Sequence, residues 1–414
     1  VVAEFKLKAG QTAFFIFEQV EQSGHGPEYD ERYVVQAFKD TSNFWRDWIS
    51  RSTYTGRWRE MVNRSALALK LLTSQENGSI VAAATFGLPE ELGGERNWDY
   101  RYTWIRDAAF TLYALLRLGL HEEAADFFQW LHRRTGTCAR DGAMQIMYGI
   151  DGRRGLDEST LSHLSGYEHS RPVRIGNAAY DQLQLDIYGE LLDAVYLITE
   201  RTGDIHREFW ERLTRTVTFV CDHWREPDEG IWEVRGGRRR FLSSRVMCWV
   251  TLDRAIRMAR TLSLPAPLSR WIEVRNEIDH SIFQDFWDSE QSAFVQHKGS
   301  QAIDAAAMLM PLVRFISPTD PYWLSTLKQI QRRLVNDCLV FRYDNQEDGV
   351  DGVPGQEGAF TTCSFWYVEC LARSGDVQKA RLLFEKMLSY ANHVGLYAEE
   401  LSLSGAHLGN FPQA

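Results

Sequence analysis

Residues 93–107 carry the sequence Gly-Gly-Glu-Arg-Asn-Trp-Asp-Tyr-Arg-Tyr-Thr-Trp-Ile-Arg-Asp, which packs charges and aromatic rings into the start of a predicted helix. A structural loop at such a position is usually plain and polar. Adjacent Arg and Asp side chains can hold two neighbouring hydroxyl groups as donor and acceptor, and Tyr and Trp can form a floor beneath a sugar. The other interpretation is an ion pair at the helix start with aromatic side chains that only pack. The spacing alone leaves both interpretations open.

Outward from this stretch, the chain has helical periodicity from about Asp30 to its end. We predict helices over residues 31–50, 57–74, 103–118, 121–134, 179–200, 205–224, 242–262, 267–284, 301–314, 321–335, 361–373 and 376–392. Tight turns alternate with long Gly-rich loops at 75–102, 135–178, 225–241 and 337–360. Antiparallel helix pairs with long loops at one end suggest an (α/α)6 barrel, a toroid of six inner and six outer helices. Such a barrel binds its ligand in the mouth formed by the long loops.

The first residues follow a different pattern. Val2 to Phe17 alternate or run apolar with strand-forming residues on both sides of Gly10, which predicts a β-hairpin. Because two strands alone are marginally stable in water, we interpret residues 1–29 as the C-terminal strands of a truncated β-domain. Residues 30–53 are then a linker helix, and residues 54–414 form the helical domain.

The helix count predicts that this domain is incomplete at its C-terminus. Apart from the linker helix, we predict eleven helices between Tyr54 and His393, one short of the twelve that close the ring. Proline is favoured in the first turn of a helix, and Asn410 precedes Pro412 as a plausible cap. We therefore expect the last helix to begin at Pro412 and to continue beyond Ala414.

Composition excludes several classes of function. The formal net charge is -10 and no long basic cluster occurs, which argues against nucleic-acid binding. No apolar run approaches the roughly 20 residues that cross a bilayer, so we expect a soluble protein with no membrane role, located in the cytoplasm. The six cysteines form no CxxC pair, and the 11 histidines show no metal-binding spacing. We therefore expect reduced cysteines, no metal and no cofactor.

Four further blocks accompany residues 94–107, at Arg171–Gln182, Pro227–Glu233, Tyr397–Glu400 and Leu408–Ala414. Together the five blocks resemble glycoside hydrolase family 15, which contains glucoamylases, glucodextranases and a group of bacterial-type trehalases. The resemblance extends from Phe44 to Ala414 and is specific, because unrelated blocks match in the same order. It implies the (α/α)6 barrel that the helical pattern suggested.

The resemblance implies a pair of catalytic carboxyl groups. One carboxylic acid protonates the glycosidic oxygen, and a carboxylate about 6.5–9.5 Å away activates a water on the opposite face of the sugar. By resemblance the acid is Glu233 and the base is Glu399. The residues alone do not separate Glu233 from the other acids of its loop, which are Glu226, Asp228 and Glu229.

The resemblance also implies a sugar-binding pocket. Tyr100 and Trp104 are expected to stack on the sugar, and Arg106 and Asp107 are expected to hold hydroxyls of the non-reducing glucose. Further predicted substrate-binding residues are Arg174, Trp232, Arg342, Trp366 and Glu400. Arg174, Trp232 and Trp366 could each have a purely structural role instead. Glu400 could hydrogen-bond the other carboxyl group instead of the substrate.

The predicted function is that of an inverting, exo-acting α-glucoside hydrolase. As the resemblance implies, it releases glucose from the non-reducing ends of α-glucans or oligosaccharides, and trehalose hydrolysis within the same family is the alternative. A non-hydrolytic carbohydrate-binding or regulatory barrel is the alternative from another class, although a pure binder needs no second, opposed carboxyl group. A helical-repeat scaffold is disfavoured because the loops are irregular in length. The linkage and the oligomeric state stay open.

Overall fold

A computed structural model describes residues 2, 4–17, 30–135, 142–344 and 351–414 of the chain, which divides into the units Val1–Thr53 and Tyr54–Ala414. In the first unit, helix α1 (Glu31–Ser50) begins after Asp30, whose carboxylate accepts the Tyr33 N–H. A turn at Gly10 is present as predicted, with the Gln11 N–H donated to the Lys8 carbonyl at 3.0 Å. The described residues of this segment form no strand, so the structure contains the turn of the predicted hairpin without its ladder.

The second unit contains eleven α-helices in its described residues. They are α2 (Arg59–Leu71), α3 (Ile105–Arg117), α4 (Glu122–Thr135), α5 (Asp186–Thr202), α6 (Arg207–His223), α7 (Leu242–Thr261), α8 (Leu268–Phe286), α9 (Leu309–Leu312), α10 (Pro321–Arg333), α11 (Thr361–Arg373) and α12 (Val377–Leu388).

These helices form the inner and outer layers of an (α/α)6 barrel. The inner helix α7 is buried on every face, whereas the outer helix α10 buries a single stripe at Trp323, Thr326, Leu327 and Ile330. Helix α5 lies between α3 and α7, and the segment containing α9 contacts α7 and α11. Helices α4, α6, α8 and α12 pack outside α3, α5, α7 and α11. An inner helix has other elements on all sides, whereas an outer helix buries only the face toward the barrel, which explains the two patterns.

Two predicted helices begin later than expected because polar caps start a 3₁₀ turn first. The Asn177 side chain accepts the Ala179 N–H and caps a turn at Ala178–Asp181, so α5 begins only at Asp186. In the same way Asp304 caps a turn at Ala305–Met308, and α9 is a short continuation of it. The sequence pattern predicted one continuous helix in each region.

The C-terminal residues correct one prediction, because no helix begins at Pro412. Gln413 forms a β-bridge with Ala83, and its N–H is donated to the Tyr397 carbonyl at 3.2 Å. The Ala414 N–H is donated to the Ala82 carbonyl at 2.8 Å. These bonds hold the segment extended against the start of the barrel.

Short antiparallel strands brace the loops at one end of the barrel. They are β1 (Phe86–Pro89) with β2 (Asn97–Asp99), β3 (Thr103–Trp104) with β4 (Met147–Tyr148), β5 (Ser159–Thr160) with β6 (Arg174–Ile175), β7 (Trp287–Asp288) with β8 (Ala293–Phe294), β9 (Val335–Asn336) with β10 (Leu339–Val340), and β11 (Ala359–Phe360) with β12 (Glu400–Leu401) and β13 (His407–Leu408). Strands β3 and β11 lead directly into the inner helices α3 and α11. The long loops therefore meet where the inner helices begin.

Two further expectations concern cysteines and membranes. The described cysteines, Cys221, Cys248, Cys338, Cys363 and Cys370, are free and buried, as predicted, and Cys138 lies outside the described residues. None of the helices in the described ranges combines the length and the apolar content needed to span a bilayer.

Candidate active site

A pocket opens at the end of the barrel where the inner helices begin. All of the predicted site residues except Arg174 and Glu400 line it, namely Glu233, Glu399, Tyr100, Trp104, Arg106, Asp107, Trp232, Arg342 and Trp366. They come from segments that are far apart in sequence, and the fold brings them together.

A tight turn aims Glu233 into this pocket. The Glu233 N–H is donated to the Gly230 carbonyl at 3.1 Å, and the Val234 N–H is donated to the Glu229 carbonyl at 3.2 Å. Glu233 has a φ of 56°, in the left-handed region that residues with a side chain rarely adopt. Such a conformation costs roughly 1–3 kcal/mol, and it is found mainly where the surrounding structure fixes a functional side chain.

A closed ring of hydrogen bonds fixes the Glu233 carboxyl group. Its Oε1 accepts the Trp104 indole N–H at 2.7 Å and Arg106 Nη2 at 3.1 Å. Arg106 Nη1 donates to the Gln184 side-chain oxygen, and the Gln184 amide donates to the Gln182 side-chain oxygen. The Gln182 amide donates to the backbone carbonyl of Glu233, which closes the ring. Glu233 Oε2 has no hydrogen-bond donor among the described residues, so this oxygen is available to a ligand.

The structure separates Glu233 from the other acids of its loop. Asp228 is buried beneath the loop and accepts hydrogen bonds from the segment before α5 and from α7. Burial raises the pKa of Asp228 to about 7. Glu229 accepts a backbone N–H and pairs with Arg238 at 2.8 Å, whereas the Glu226 side chain is 50% exposed. None of these three acids lines the pocket.

The Glu399 carboxyl group is almost fully buried, at 2% exposure. Its Oε1 accepts the Tyr100 hydroxyl at 2.6 Å, and its Oε2 accepts the Asn410 N–H at 3.3 Å. Burial, together with the charge of Glu90, raises the pKa of Glu399 to about 8, although the Tyr100 hydrogen bond and the charge of Arg342 oppose this shift. Burial also raises the pKa of Tyr100 well above its ordinary value, so Tyr100 stays a neutral donor.

Gly409 makes room for the Glu399 carboxyl group. A Cβ atom at position 409 would lie 2.6 Å from Glu399 Oε2, closer than real contacts allow. Gly409 also has a φ of 71°, and its N–H is donated to the Pro89 carbonyl at 2.8 Å. Glycine is therefore required here both by the backbone conformation and by the space.

Two neighbouring aromatic rings connect the carboxyl groups. Tyr100 donates to Glu399 and Trp104 donates to Glu233, and the two ring centroids are 5.3 Å apart. The stretch from which the sequence prediction began thus holds both predicted catalytic groups. This arrangement presents two carboxyls to one pocket from two loops that are far apart in sequence.

Trp232 forms an aromatic wall of the pocket. Its indole N–H is donated to both Asp304 oxygens, at 2.9 and 3.0 Å, and burial raises the pKa of Asp304 to about 6. The Trp232 ring lies 5.6 Å from Phe360 and 6.4 Å from Trp366, which in turn lies 5.9 Å from Phe110. These rings provide the apolar faces on which a sugar can pack.

Asp107 presents an unused acceptor. Its Oδ2 is buried and has no hydrogen-bond partner among the described residues, although Arg106 Nε lies 3.6 Å away. Burial raises the pKa of Asp107, and the charge of Arg106 opposes that shift. A buried carboxylate oxygen left without a donor is costly unless a ligand supplies one. Asp107 is therefore suited to accept a sugar hydroxyl.

A buried charge cluster supports Arg342 from behind. Arg342 pairs with Glu357 through Nε and Nη2, and it leaves Nη1 without an acceptor among the described residues. Arg96 binds Glu90, Asp351 at 2.7 Å and Glu357 at 2.9 Å. The cluster fixes Arg342 at the pocket wall, where its free nitrogen can donate to a sugar.

The same cluster contains the one metal-like arrangement found among the described residues. Glu90, Glu357 and Glu400 offer carboxylate oxygens within 4.8 Å of one another. The spacing of His and Cys in the sequence could not indicate it. Two arginines, Arg96 and Arg342, pair with these three carboxylates, and Glu400 Oε1 has no hydrogen-bond partner among the described residues.

Two predicted substrate-binding residues lie outside the pocket wall. Glu400 is the first residue of β12, is fully buried and does not line the pocket, whereas Glu399 directly before the strand does. Its Oε2 accepts the Gly358 N–H at 2.7 Å. Arg174 donates to the Glu95 carbonyl at 2.8 Å and lies 4.9 Å from the centroid of the Trp98 ring. Both residues support the wall from outside it.

The sequence analysis missed several residues of the wall. Trp98 and Arg96 lie within residues 93–107 and line the pocket, but the sequence analysis predicted substrate binding only for other residues of that segment. Arg235, two residues after Glu233, lines the pocket as well. Asp304 accepts from the distant Trp232, and the charge of Glu90 acts on the distant Glu399, and no local pattern indicated either effect.

Comparison with known proteins identifies relatives along the whole chain. The family described as Glycosyl hydrolases family 15 matches residues 56–414. The chain is 44% identical over 417 residues to a trehalase of Mycobacterium tuberculosis, covering 100% of this chain and 60% of that protein. It is 41% identical over 377 residues to a trehalase of Thermoplasma volcanium, covering 91% of this chain and 59% of that protein. The chain thus spans about 60% of the length of these curated relatives.

Solved structures share the fold. A bacterial glucoamylase complexed with acarbose matches with a TM-score of 0.68 at 13% identity, over 90% of this chain and 57% of that one. A glucoamylase from Saccharomycopsis fibuligera matches with a TM-score of 0.63 at 11% identity, over 90% and 92% of the two chains. At these identities the likeness concerns the fold, which agrees with the layers of inner and outer helices described above.

Proposed function

The chain belongs to glycosyl hydrolase family 15, and we propose that it is the catalytic part of an inverting α-glucoside hydrolase that acts on trehalose. The observation that carries the proposal is the pair of Glu233 and Glu399, which line one pocket and are each held by an aromatic donor. Relatives named trehalases, at 32% to 44% identity, support trehalose as the substrate.

In the proposed reaction, Glu233 donates a proton from its unoccupied Oε2 to the glycosidic oxygen as the bond from that oxygen to C1 breaks. Glu399 accepts a proton from a water whose oxygen forms the new bond to C1 from the opposite face. Burial raises the pKa of Glu399, so its ionised form is a stronger base than an ordinary carboxylate. The Tyr100 hydroxyl holds the base in place and stabilises its ionised form.

The inner part of the pocket is suited to the glucose that is attacked. Asp107 Oδ2 offers an acceptor and Arg342 Nη1 offers a donor, both without protein partners among the described residues. Trp232 and Trp366 provide apolar faces. Charged hydrogen bonds in a desolvated pocket contribute strongly to transition-state binding, so these contacts can favour the transition state over the bound substrate.

The sequence analysis ranked α-glucans and oligosaccharides ahead of trehalose. The similarity to trehalases along nearly the whole chain reverses this order in our proposal. Both substrates need the same acid and base, so the pair of carboxyls alone does not separate them. The assay must therefore compare both classes.

The full-length protein is incubated with trehalose, maltose, isomaltose and dextrin, and the released glucose is followed by NMR before its anomers equilibrate. We expect trehalose to yield one α-glucose and one β-glucose, because inversion acts only on the ring that water attacks. Two α-glucose molecules would indicate retention. If the protein cleaves the glucans or their oligosaccharides but not trehalose, they take the place of trehalose as the proposed substrate. If it binds sugars but cleaves none of them, the non-hydrolytic carbohydrate-binding barrel is favoured.

A further inference from the structure

An arginine at the mouth of the pocket has donors that no described residue uses. We propose that Arg235 hydrogen-bonds the hydroxyls of the leaving-group glucose and so determines how the second sugar of the substrate is recognised. This inference rests on the proposed function, since it assigns the second sugar of a disaccharide to a wall of the same pocket.

Four arginines line the pocket, and their nitrogens are used to different extents. Arg96 hydrogen-bonds carboxylates through Nε, Nη1 and Nη2. Arg106 hydrogen-bonds through Nη1 and Nη2, and its Nε lies 3.6 Å from Asp107. Arg342 leaves only Nη1 free. Arg235 binds Glu158 through Nη2 at 3.0 Å, and its Nε and Nη1 have no acceptor among the described residues. Arg235 therefore has the largest unused donor capacity of the four.

Exposure places Arg235 at the mouth and the others deeper. The exposed fractions of the side chains are 5% for Arg96, 8% for Arg342, 14% for Arg106 and 31% for Arg235. The acid must reach the glycosidic oxygen, so the leaving-group sugar lies on the outward side of Glu233. Arg235 follows Glu233 by two residues in the same loop and is the most exposed of the four pocket arginines, so we place it on that outward side.

Neighbouring groups hold the Arg235 guanidinium in place before any sugar binds. Its Cζ lies 4.3 Å from the centroid of the Trp98 ring, and the Trp98 indole N–H is donated to Glu90 at 2.8 Å. The backbone N–H of Arg235 is donated to the Asp351 carbonyl at 2.6 Å, which fixes the main chain that carries this side chain. A donor that is already ordered loses little conformational entropy when it binds, which makes its hydrogen bonds effective.

The rim beside Arg235 is built from two loops in direct backbone contact. The Gly236 N–H is donated to the Asp351 carbonyl at 3.0 Å, and a Cβ at Gly352 would lie 2.3 Å from the Gly236 nitrogen. The contact bounds the pocket on the side of Arg235. A bounded rim with a fixed donor is suited to a single leaving-group sugar.

The test compares Arg235→Met with wild type on two substrates, trehalose and α-glucosyl fluoride. The fluoride has the attacked glucose but no second sugar, and methionine keeps an apolar side chain against Trp98. We expect kcat/KM for trehalose to fall by about 10–100-fold, since hydrogen bonds to a charged donor are lost. We expect kcat/KM for the fluoride to stay within about twofold of wild type, because that reaction does not use these bonds.

The matched control is Arg238→Met, which removes an arginine of the same loop that pairs with Glu229 outside the pocket. We expect this control to have the wild-type kcat/KM for both substrates. A second variant, Arg235→Gln, keeps an amide donor and should recover part of the trehalose activity. Thermal unfolding of each variant verifies that it is folded.

The outcomes separate the two proposals. A wild-type protein that cleaves neither substrate would overturn the proposed function itself. A wild-type protein that cleaves both, with Arg235→Met lowering both equally or lowering neither, would overturn the role of Arg235 and leave the proposed function standing. A loss confined to trehalose in Arg235→Met, with partial recovery in Arg235→Gln, would support the inference.

Discussion

Glu233 and Glu399 differ from their neighbours in that each carboxyl group is fixed by an aromatic donor and faces the pocket. Replacing either by glutamine keeps the shape but removes the acid or the base. We expect Glu233→Gln and Glu399→Gln each to lower kcat for trehalose by at least about 10²-fold, with a modest change in KM. Glu229→Gln, in the same loop but outside the pocket, should stay near wild type. Near-normal turnover of either pocket variant would contradict its assigned role.

The raised pKa of Glu399 leads to a prediction about pH. A base must be ionised, and a carboxyl group whose pKa is raised to about 8 is ionised only as the pH rises through that value. For α-glucosyl fluoride, whose leaving group needs no proton from Glu233, we therefore expect the acidic limb of kcat/KM against pH to lie well above the range of ordinary carboxyl groups. Tyr100→Phe removes a bond that stabilises the ionised form, so it should move this limb to higher pH. A limb near pH 4 to 5, the ordinary carboxyl range, that does not respond to Tyr100→Phe would contradict the prediction.

The same shift affects stability with a definite sign. Because the folded-state pKa of Glu399 lies above its unfolded value, the protonated group stabilises the fold at low pH. That contribution is lost as the pH rises from the ordinary carboxyl range through about 8. Glu399→Gln cannot ionise, so its melting temperature should decline less than that of wild type over this interval. The measurement is thermal unfolding of both proteins across the same buffers.

Gly409 provides a test of how closely the base is packed. An alanine there would place its Cβ 2.6 Å from Glu399 Oε2, whereas an alanine at Gly203 would meet no atom within 4 Å. Both glycines have a similar positive φ, 71° and 68°, so both changes cost about 1–2 kcal/mol of backbone strain. We expect only Gly409→Ala to lower kcat strongly, because only it displaces the base. Equal activity of the two variants would show that the contact is relieved without moving Glu399.

At the scale of helices and strands, the sequence predicted most of the structure because helical periodicity is local. The ends of α1 and α11 agree with the prediction, and the other long helices differ by a few residues. The exceptions follow Asn177 and Asp304, where side-chain caps favour a 3₁₀ turn. Contacts between distant residues could not be predicted in this way. The Trp232 indole binds Asp304, 72 residues later, and no pattern within either segment indicates that pair.

The inner helices α5 and α7 approach each other closely at one glycine, and this contact can be tested by substitution. Gly189 of α5 faces α7, where an added Cβ would lie 2.3 Å from the Met247 carbonyl oxygen. Overpacking of this kind typically costs about 1–3 kcal/mol, which exceeds the gain in helix propensity from glycine to alanine. We expect Gly189→Ala to reduce the free energy of unfolding in denaturant titrations. Gly155→Ala, with no atom within 4 Å of its Cβ, is the control and should change it little.

At the scale of the whole molecule, the pocket ties together segments that are far apart in sequence. Tyr100 and Glu399 are 299 residues apart, and Arg96 and Asp351 are 255 apart, so the site exists only in the folded barrel. The sequence blocks contain most of the residues that line this pocket, but the buried charge cluster behind Arg342 depends on loops that meet only in three dimensions. A ligand in this pocket must therefore bind the folded chain and not the unfolded one.

Because a pocket ligand binds only the folded chain, its effect on the melting temperature measures binding separately from catalysis. Glu399→Gln should bind trehalose without consuming it, so trehalose should raise its melting temperature. A ligand at 100 times its Kd contributes about 2.7 kcal/mol to the free energy of unfolding. Cellobiose, a β-linked disaccharide, controls for the general stabilisation that sugars give by exclusion from protein surfaces. Adding Asp107→Asn to Glu399→Gln should reduce the trehalose effect, because a buried acceptor of the pocket is weakened. Equal shifts with both sugars would contradict the proposed pocket, whereas a trehalose shift without turnover in wild type would favour the carbohydrate-binding barrel.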